Sequence, residues 1–374
     1  MKVTIPIRKL REIDRILVVV PVIITIIGIL TIYSGTRPAL EQYHPPFYIR
    51  QLIWLLISLV AMAMMFVFDY RWLQRLAYPL YAVGLFLLLL TIFAGYTGMG
   101  AQRWLRIGPL SFQPSEVFRI ILIIATAKYL QSKRAPIDGI TLAMSLVLFG
   151  IIPFSLLYKQ PDLGTALMLF LITSIMVLTY GVRKRILVTL IALFLLLSPV
   201  VGQLLWKGLK PYQKNRLIAF IKPEVDPYGI GYQIEQSKIT IGSGKLLGKG
   251  YLKGTQGPLR FLPEKHTDFV FSVFSEEWGF IGSLVILGLY LLLIVRGFET
   301  AYIAKDPFST LVSTGISSML LLYVTINIGM TMGLMPVVGV PLPFFSYGGT
   351  ALLSNFMAVG LLINIRMRRY KLFY

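Results

Sequence analysis

The sequence predicts an all-α polytopic membrane protein with ten transmembrane helices and a large extracytoplasmic loop between spans 7 and 8. Three observations predict it. At 56% hydrophobic residues and a mean hydropathy of +0.75, a 374-residue chain is too apolar to be soluble. Its apolar residues gather into runs of roughly 15–25, the length that crosses a bilayer once tilt is allowed. Its basic residues fall between those runs rather than in one patch, so the net charge of +20 reports topology and not nucleic-acid binding.

The runs are 16–33, 50–68, 76–94, 116–131, 140–157, 163–181, 186–206, 270–295, 308–333 and 347–365. The fourth is the most polar, because Arg119 and Lys128 lie in it. The basic start of the chain leads into an apolar run of full bilayer length with no small-residue cleavage site, so it reads as a first span and not a signal peptide. The whole chain, 1–374, reads as one ten-span membrane domain, and 207–268 is the large loop within it. In that loop, Asp226-Pro227-Tyr228-Gly229 has turn chemistry. Residues 232–241 suit a short helix along the membrane surface, ended by Gly242-Ser243-Gly244.

With a cytoplasmic N-terminus, the cytoplasmic segments carry nineteen Lys and Arg, and the short outer loops carry five: Arg37, Arg50, Arg103, Arg106 and Lys159. The excess of basic residues faces the cytoplasm. Both termini are then cytoplasmic, and the irregular, polar segments 95–115, 158–162, 207–268 and 334–346 all face outwards. Loops positioned by a rigid scaffold carry sites, so the chemistry is expected on the side without ATP.

Several motifs there carry candidate chemistry. Asp268 precedes the eighth run, in His266-Thr267-Asp268. A carboxylate at a water–membrane boundary suits a general base or a cation ligand. Equally, an aspartate before a helix caps free N–H groups. His266 has His44 as its only fellow histidine, remote in sequence, and the absence of cysteine excludes disulfides and thiolate metal sites. Glu116 and Arg119 of Gln113-Pro114-Ser115-Glu116 share a helical face at i, i+3, either as a structural ion pair or as the lining of a cavity for a charged headgroup. Arg103 beside Trp104 suits phosphate, with Trp104 an interfacial anchor. Asp162 is either the cap of the sixth span or a member of the same cavity. Residues 242–250, GSGKLLGKG, fail the phosphate-loop template, since Ser243 replaces the first glycine and Gly250 the terminal Ser/Thr. They read as a flexible basic turn whose Lys245 and Lys249 attract anionic headgroups. Residues 336–350, PVVGVPLPFFSYGGT, are broken backbone of the kind tolerated at membrane depth where it lines a cavity. Gly329 and Gly333 have the spacing of a close helix–helix contact.

GAQRW, QPSE, QPDLGTA, DPYGIGYQ, GSGKLLGKG, LPEKHTDF and NIGMTMGLMPVVGVPLPFFSYGGT together resemble the SEDS family (shape, elongation, division and sporulation), in order and spacing, over nearly the whole chain. Gly254-Thr255-Gln256 and Val338 are similar to its rod-shape branch rather than its division branch, and Arg119 stands where the family usually has lysine. The resemblance implies a peptidoglycan glycosyltransferase of the bacterial inner membrane. Such an enzyme polymerises lipid II, a disaccharide-pentapeptide on undecaprenyl pyrophosphate, at the outer face, for elongation and cell shape. It implies Asp268 as the essential aspartate, support by a divalent cation (Mg or Mn), and a class B penicillin-binding protein as partner among other elongation-complex proteins. Arg103, Glu116, Arg119, Asp162, Lys249, Glu264, His266 and Ser346 are then candidates to bind substrate. A lipid II flippase and a non-catalytic scaffold for a synthase are the competing readings.

Overall fold

The computed structural model describes residues 13–37, 46–98, 101–107, 110–209, 211–226, 229–255 and 266–369. The order is α1 (Arg15–Thr36), α2 (Phe47–Val67), a short α3 (Tyr70–Arg75), α4 (Ala77–Ala94), three strands, α5 (Pro114–Gln131), α6 (Gly139–Lys159), α7 (Leu163–Tyr180), α8 (Lys184–Gly208), α9 (Pro211–Ile221), α10 (Ile230–Ser243), α11 (Val270–Tyr302), α12 (Pro307–Thr331) and α13 (Gly349–Met367). Eight of these, α1, α2, α4, α6, α7, α11, α12 and α13, are long and apolar enough to cross a membrane, among the described residues. The helices α5 and α8 occupy the places of the fourth and seventh runs.

Helix α12 is the axis of the bundle, buried along nearly its whole length. Around it pack α11, α5, α7 and α13, with α1 and α2 outside them. Helices α2 and α4 expose Leu, Ile, Val and Phe outwards, as a lipid-facing surface does. Within α6, Leu146–Ile151 widens to a π-helix. The wider turn frees carbonyl groups for neighbours: Leu148 accepts from the Tyr81 hydroxyl, and Phe149 accepts from Thr173 Oγ1 at 3.0 Å. Asp138 caps α6 through Thr141 N at 2.9 Å, and the Thr141 side-chain and backbone donors hold its carboxyl below the usual carboxylate range.

Both termini of the described bundle meet at one end. Asp14, at the start of α1, pairs with Arg366 near the end of α13 at 3.0 Å, and Asp69 pairs with Arg368 at 3.1 Å. The segments read as outer loops gather at the other end.

Four expectations are corrected or extended there. The chain is not purely α: residues 96–112 hold a three-stranded antiparallel sheet, β1 (Tyr96–Gly98), β2 (Ala101–Ile107) and β3 (Leu110–Phe112), with Tyr96 opposite Trp104 and Leu105 opposite Phe112. The described part of the large loop holds two helices, α9 and α10. The short surface helix expected at 232–241 is α10, capped at Gly244 as its glycines suggest, and Ser237 ties it to α11 and α12 through Ser272 Oγ (2.7 Å) and Thr331 O (2.6 Å).

The third correction concerns GSGKLLGKG. Helix α11 is kinked at Gly279, whose φ of +66° is not helical. A kink leaves carbonyls before it and amides after it without helical partners. The 245–250 backbone supplies them. Lys249 N donates to Glu276 O and Gly250 N to Glu277 O, both at 3.0 Å, while Phe280 N and Ile281 N donate to Lys245 O (2.9 Å) and Leu246 O (3.1 Å). Two backbones this close leave no room for side chains. A Cβ on Gly244 or Gly248 would fall onto the carbonyl oxygens of Ser275 or Glu277, and one on Gly279 onto Gly248 N. So the glycines serve a packed dock and not a flexible turn.

The fourth is the Gly329/Gly333 pair. Gly333, with φ +71°, terminates α12: its N–H bonds Met330 O at 3.1 Å, and Leu334 N bonds Gly329 O at 2.8 Å. This is a left-handed helix stop, and Lys238 and Ile234 of α10 pack closely against Gly333.

Gly248→Ala adds a Cβ into Glu277 O at a φ of +80°. It is expected to lower stability by at least about 1–3 kcal/mol, read as a lower unfolding temperature in detergent. Gly242→Ala, in α10 with nothing within 4 Å of its Cβ, should leave that temperature unchanged or slightly raised.

Candidate functional site

At the end of the bundle away from the termini is a cavity of about 290 Å³. The sheet and α5 provide one side, with Arg103, Trp104, Gln113 and Glu116; α9 and α10 provide Arg216 and Gln233. Thr267 and Asp268 lie where the chain enters α11, and Val338, Gly339 and Tyr347 come from the irregular segment between α12 and α13.

The capping alternative for Asp268 is decided by the other aspartates. The chain has seven. Asp14, Asp69, Asp138, Asp162 and Asp306 each cap a helix, and Asp226 accepts from Ile230 N at the start of α10 at 2.8 Å. Helix α11 has Phe269 as its N-cap and no side-chain cap. Asp268 is therefore the one aspartate that does not serve a helix start, and it lines the cavity.

Its backbone is held from two sides. Asn327 of α12, fully buried, donates through Nδ2 to Asp268 O at 3.1 Å and to Val340 O at 2.8 Å. Ser346 Oγ donates to Thr267 O at 2.6 Å and accepts from Leu342 N at 2.8 Å. Tyr347 N donates to His266 O at 2.9 Å, and the His266 ring stacks on Phe47 with centroids 4.4 Å apart. Ser346 and His266 thus stand as latches between the 266–269 turn and the 336–348 segment. Gln51 joins from α2, through Ser346 O (3.1 Å) and Gly348 N (3.2 Å).

The other sequence candidates divide. Glu116 lines the cavity with Arg119 behind it, 2.9 Å away. Arg119 is 1% exposed: its Nη2 donates to Ser354 Oγ (2.6 Å), Asn355 Oδ1 (2.8 Å) and Ala351 O (3.3 Å), and its guanidinium lies over the Tyr323 ring at 4.8 Å. It ties α5 to α12 and α13 and is not on the cavity wall. Arg103 is on the wall, 3.5 Å from Asp162 Oδ1 and donating to Pro161 O at 2.9 Å. Asp162 is buried, caps α7 through Thr165 N at 3.2 Å, and so fills both roles that the sequence allows it. Lys249 is away from the wall: it bonds the buried Glu276 at 2.6 Å and Thr255 Oγ1 at 3.0 Å. Glu264 lies outside the described residues.

Sequence reasoning missed Arg216 and Asn327. Arg216 stands in none of the motifs, and Asn327 opens NIGMTMGLMPVVGVPLPFFSYGGT without a chemical signature of its own; each reaches the site through tertiary contact. Among the described residues, no group of three or more His, Asp or Glu side chains is arranged to hold a metal ion. Glu116 faces Arg119 and Asp162 faces Arg103, so the donor set does not fit a dedicated divalent-cation centre.

Fold and site together define a polytopic membrane protein whose charged cavity opens at one end of the bundle, built from broken backbone around Asp268. A profile of the FtsW/RodA/SpoVE family, described as "Cell cycle protein", matches residues 14–371, and the chain belongs to this family. It is 39% identical to the peptidoglycan glycosyltransferase MrdB of Escherichia coli K12 over 84% of each chain. It is 32% identical to the peptidoglycan glycosyltransferase RodA of Treponema pallidum over 97% of this chain and 99% of that one. Among solved structures, a chain from work described as "Structural coordination of polymerization and crosslinking by a peptidoglycan synthase complex" superposes with a TM-score of 0.82 at 33% identity, over 96% of this chain and 99% of that one. The rod shape determining protein RodA of Thermus thermophilus gives 0.69 at 31% identity, over 96% and 98%.

The two arginines separate by role. Arg119→Ala leaves Glu116 buried opposite nothing and should cost about 3–5 kcal/mol of stability. Arg103→Ala, at a half-buried position, should cost roughly 1 kcal/mol. Thermal unfolding of the purified variants checks both.

Proposed function

We propose that this chain is a peptidoglycan glycosyltransferase acting in cell elongation and shape, which polymerises lipid II at the outer face of the cytoplasmic membrane. The observation that carries the reading is Asp268: the one aspartate without a capping role, on the wall of a charged cavity, in a chain whose named relatives are peptidoglycan glycosyltransferases.

Chain growth needs a base for the incoming hydroxyl and a means of meeting charge on the leaving group. Asp268 takes the proton of the acceptor's GlcNAc 4-hydroxyl. The oxygen attacks the anomeric carbon of the donor, and the bond from that carbon to pyrophosphate oxygen breaks with its electron pair on the pyrophosphate. An α-linked donor and a β-linked polymer require one inversion, so a single displacement suffices with no covalent enzyme intermediate. Pyrophosphate leaves as a weakly basic anion, and no protein acid is needed. Asn327 and Ser346 hold the base by its backbone, which fixes its position before substrate arrives. Among the described residues no set of carboxylates is arranged to hold a divalent cation, and no step is assigned to one.

The same reading takes α5 and α8 as the fourth and seventh of ten spans of a single membrane domain, with both termini cytoplasmic and 207–268 outside. The separation of the terminal ion pairs from the cavity supports it. A related chain is part of a peptidoglycan synthase complex that coordinates polymerization and crosslinking; a class B penicillin-binding protein is the corresponding partner here.

Asp268→Asn keeps shape and removes the base. Purified in detergent and given labelled lipid II, it should form glycan strands at least ~100-fold more slowly than the parent, with unchanged unfolding temperature. Near-parental rates would remove Asp268 as the base, and a parent protein that makes no strands would return the choice to a transporter or scaffold. Because the chain has no cysteine, single substitutions report sidedness. In intact cells, a membrane-impermeant maleimide should label Lys253→Cys and not Ser132→Cys.

A further inference from the structure

Negative charge leaving the anomeric carbon needs a cation at the cavity wall. Of the basic side chains that the sequence offers for this, the structure withdraws two. Arg119 lies behind the wall, held by Glu116, Ser354 and Asn355. Lys249 is bound to Glu276 under the α11 kink. Among the described residues, the cationic side chains on the wall are Arg103 and Arg216.

These two differ in surroundings. Arg103 faces the buried carboxylate of Asp162 at 3.5 Å. Arg216, from α9, donates through Nη1 to the Val338 carbonyl at 3.1 Å. It is also beside the base. The point where a Cβ on Gly339 would sit is 3.5 Å from Asp268 Oδ2 and 3.7 Å from Arg216 Nη1. Gly339 lines the cavity at φ +76°, a backbone that disfavours any side chain, so only a hydrogen separates this point from open space. Carboxylate and guanidinium therefore flank one gap in the wall. A reacting anomeric centre needs those two groups in that relation: a proton acceptor for the attacking hydroxyl, and a planar donor fork for phosphate oxygens.

Resting on the glycosyltransferase reading, we propose that Arg216 is a catalytic residue that binds the diphosphate of the lipid-linked donor and meets the charge developing on it as the anomeric C–O bond breaks. The proton goes to Asp268 and the electron pair to the pyrophosphate oxygen facing Arg216. Substrate discrimination follows. A prenyl pyrophosphate offers the fork a second phosphate, and a prenyl monophosphate does not.

The test compares the full-length parent with Arg216→Ala and Arg216→Lys in detergent. It measures equilibrium binding of undecaprenyl pyrophosphate and undecaprenyl monophosphate, together with kcat and KM on lipid II. Expected for Arg216→Ala is a roughly 10–100-fold loss of pyrophosphate affinity, a smaller loss for the monophosphate, and a fall in kcat/KM at a parental unfolding temperature. Lysine, a point charge without the fork, should fall between. If Arg216→Ala does not fold, Arg216→Gln carries the same comparison, since it can still donate to Val338 O. Activity lost with pyrophosphate affinity unchanged overturns the proposal, because Arg216 then acts only through Asp268. A parent protein that binds both lipids but builds no strands rejects the glycosyltransferase reading itself, and the proposal with it.

Discussion

Backbone polar groups cannot be left unpaired at membrane depth, and the segment between α12 and α13 is broken backbone inside the bundle. Everything at the cavity follows from how those groups are satisfied. Asn327 pairs Val340, Ser346 pairs Leu342, and Gln51 pairs Ser346 and Gly348. The same side chains, or their neighbours, also pair Thr267, Asp268 and His266. The turn that carries Asp268 is thus stitched to the irregular segment. Close approach completes the seam: a Cβ on Gly28 of α1 would reach the Phe345 backbone, and one on Gly164 of α7 would lie 2.6 Å from Val338 O. Position of the carboxylate is therefore a backbone property, set by helices on several sides.

Charge in this apolar bundle is sorted by the same economy. A buried ion costs several kcal/mol unless paired and hydrogen-bonded, and Glu276 and Arg119 are both. Glu276 accepts from Lys249 and from both the amide and hydroxyl of Thr255. Glu277 accepts from Ser34. Arg119 has Glu116 on one side and α13 on the other. Such groups are structural by their surroundings, whatever their sequence context suggests. Among the described residues, the charged side chains that line the cavity are Asp268, Arg216, Arg103 and Glu116.

What the sequence disclosed follows the range of the interactions. The apolar runs, the short helix at 230–243 and the Glu116–Arg119 pair are local, and each was legible as period or spacing. The aspartate before α11 was legible as a choice between cap and chemistry. The choice itself required knowing that α11 begins at Phe269 without a side-chain cap. Gly244 and Gly248 meet the backbone of a distant stretch, at Ser275, Glu277 and Gly279, so GSGKLLGKG looked like a mobile turn where it is a dock. Asn327 looked like one more polar residue in an apolar span, and Arg216 like one basic residue among eleven in a long loop. Their meaning lies in partners more than a hundred residues away for Arg216, and in two separate chain segments for Asn327.

The two backbone breaks also explain why the site is built where it is. Gly279 interrupts α11 nine residues after its start, and Gly333 ends α12. Between the first break and the cavity runs a short, wholly buried stretch, Val270 to Glu277, clamped at its far end by the 245–250 backbone and at its near end by Asn327 and Ser346. A regular span would carry its carboxylate on a helix face, either covered by a neighbour or open to lipid. A short helix fixed at both ends presents its first turn to the cavity and keeps its flanks buried. Holding a base within a fraction of an ångström needs a support that does not move when substrate arrives. Here that support is a helix too short to span the membrane alone, made rigid by the backbones docked at its two ends.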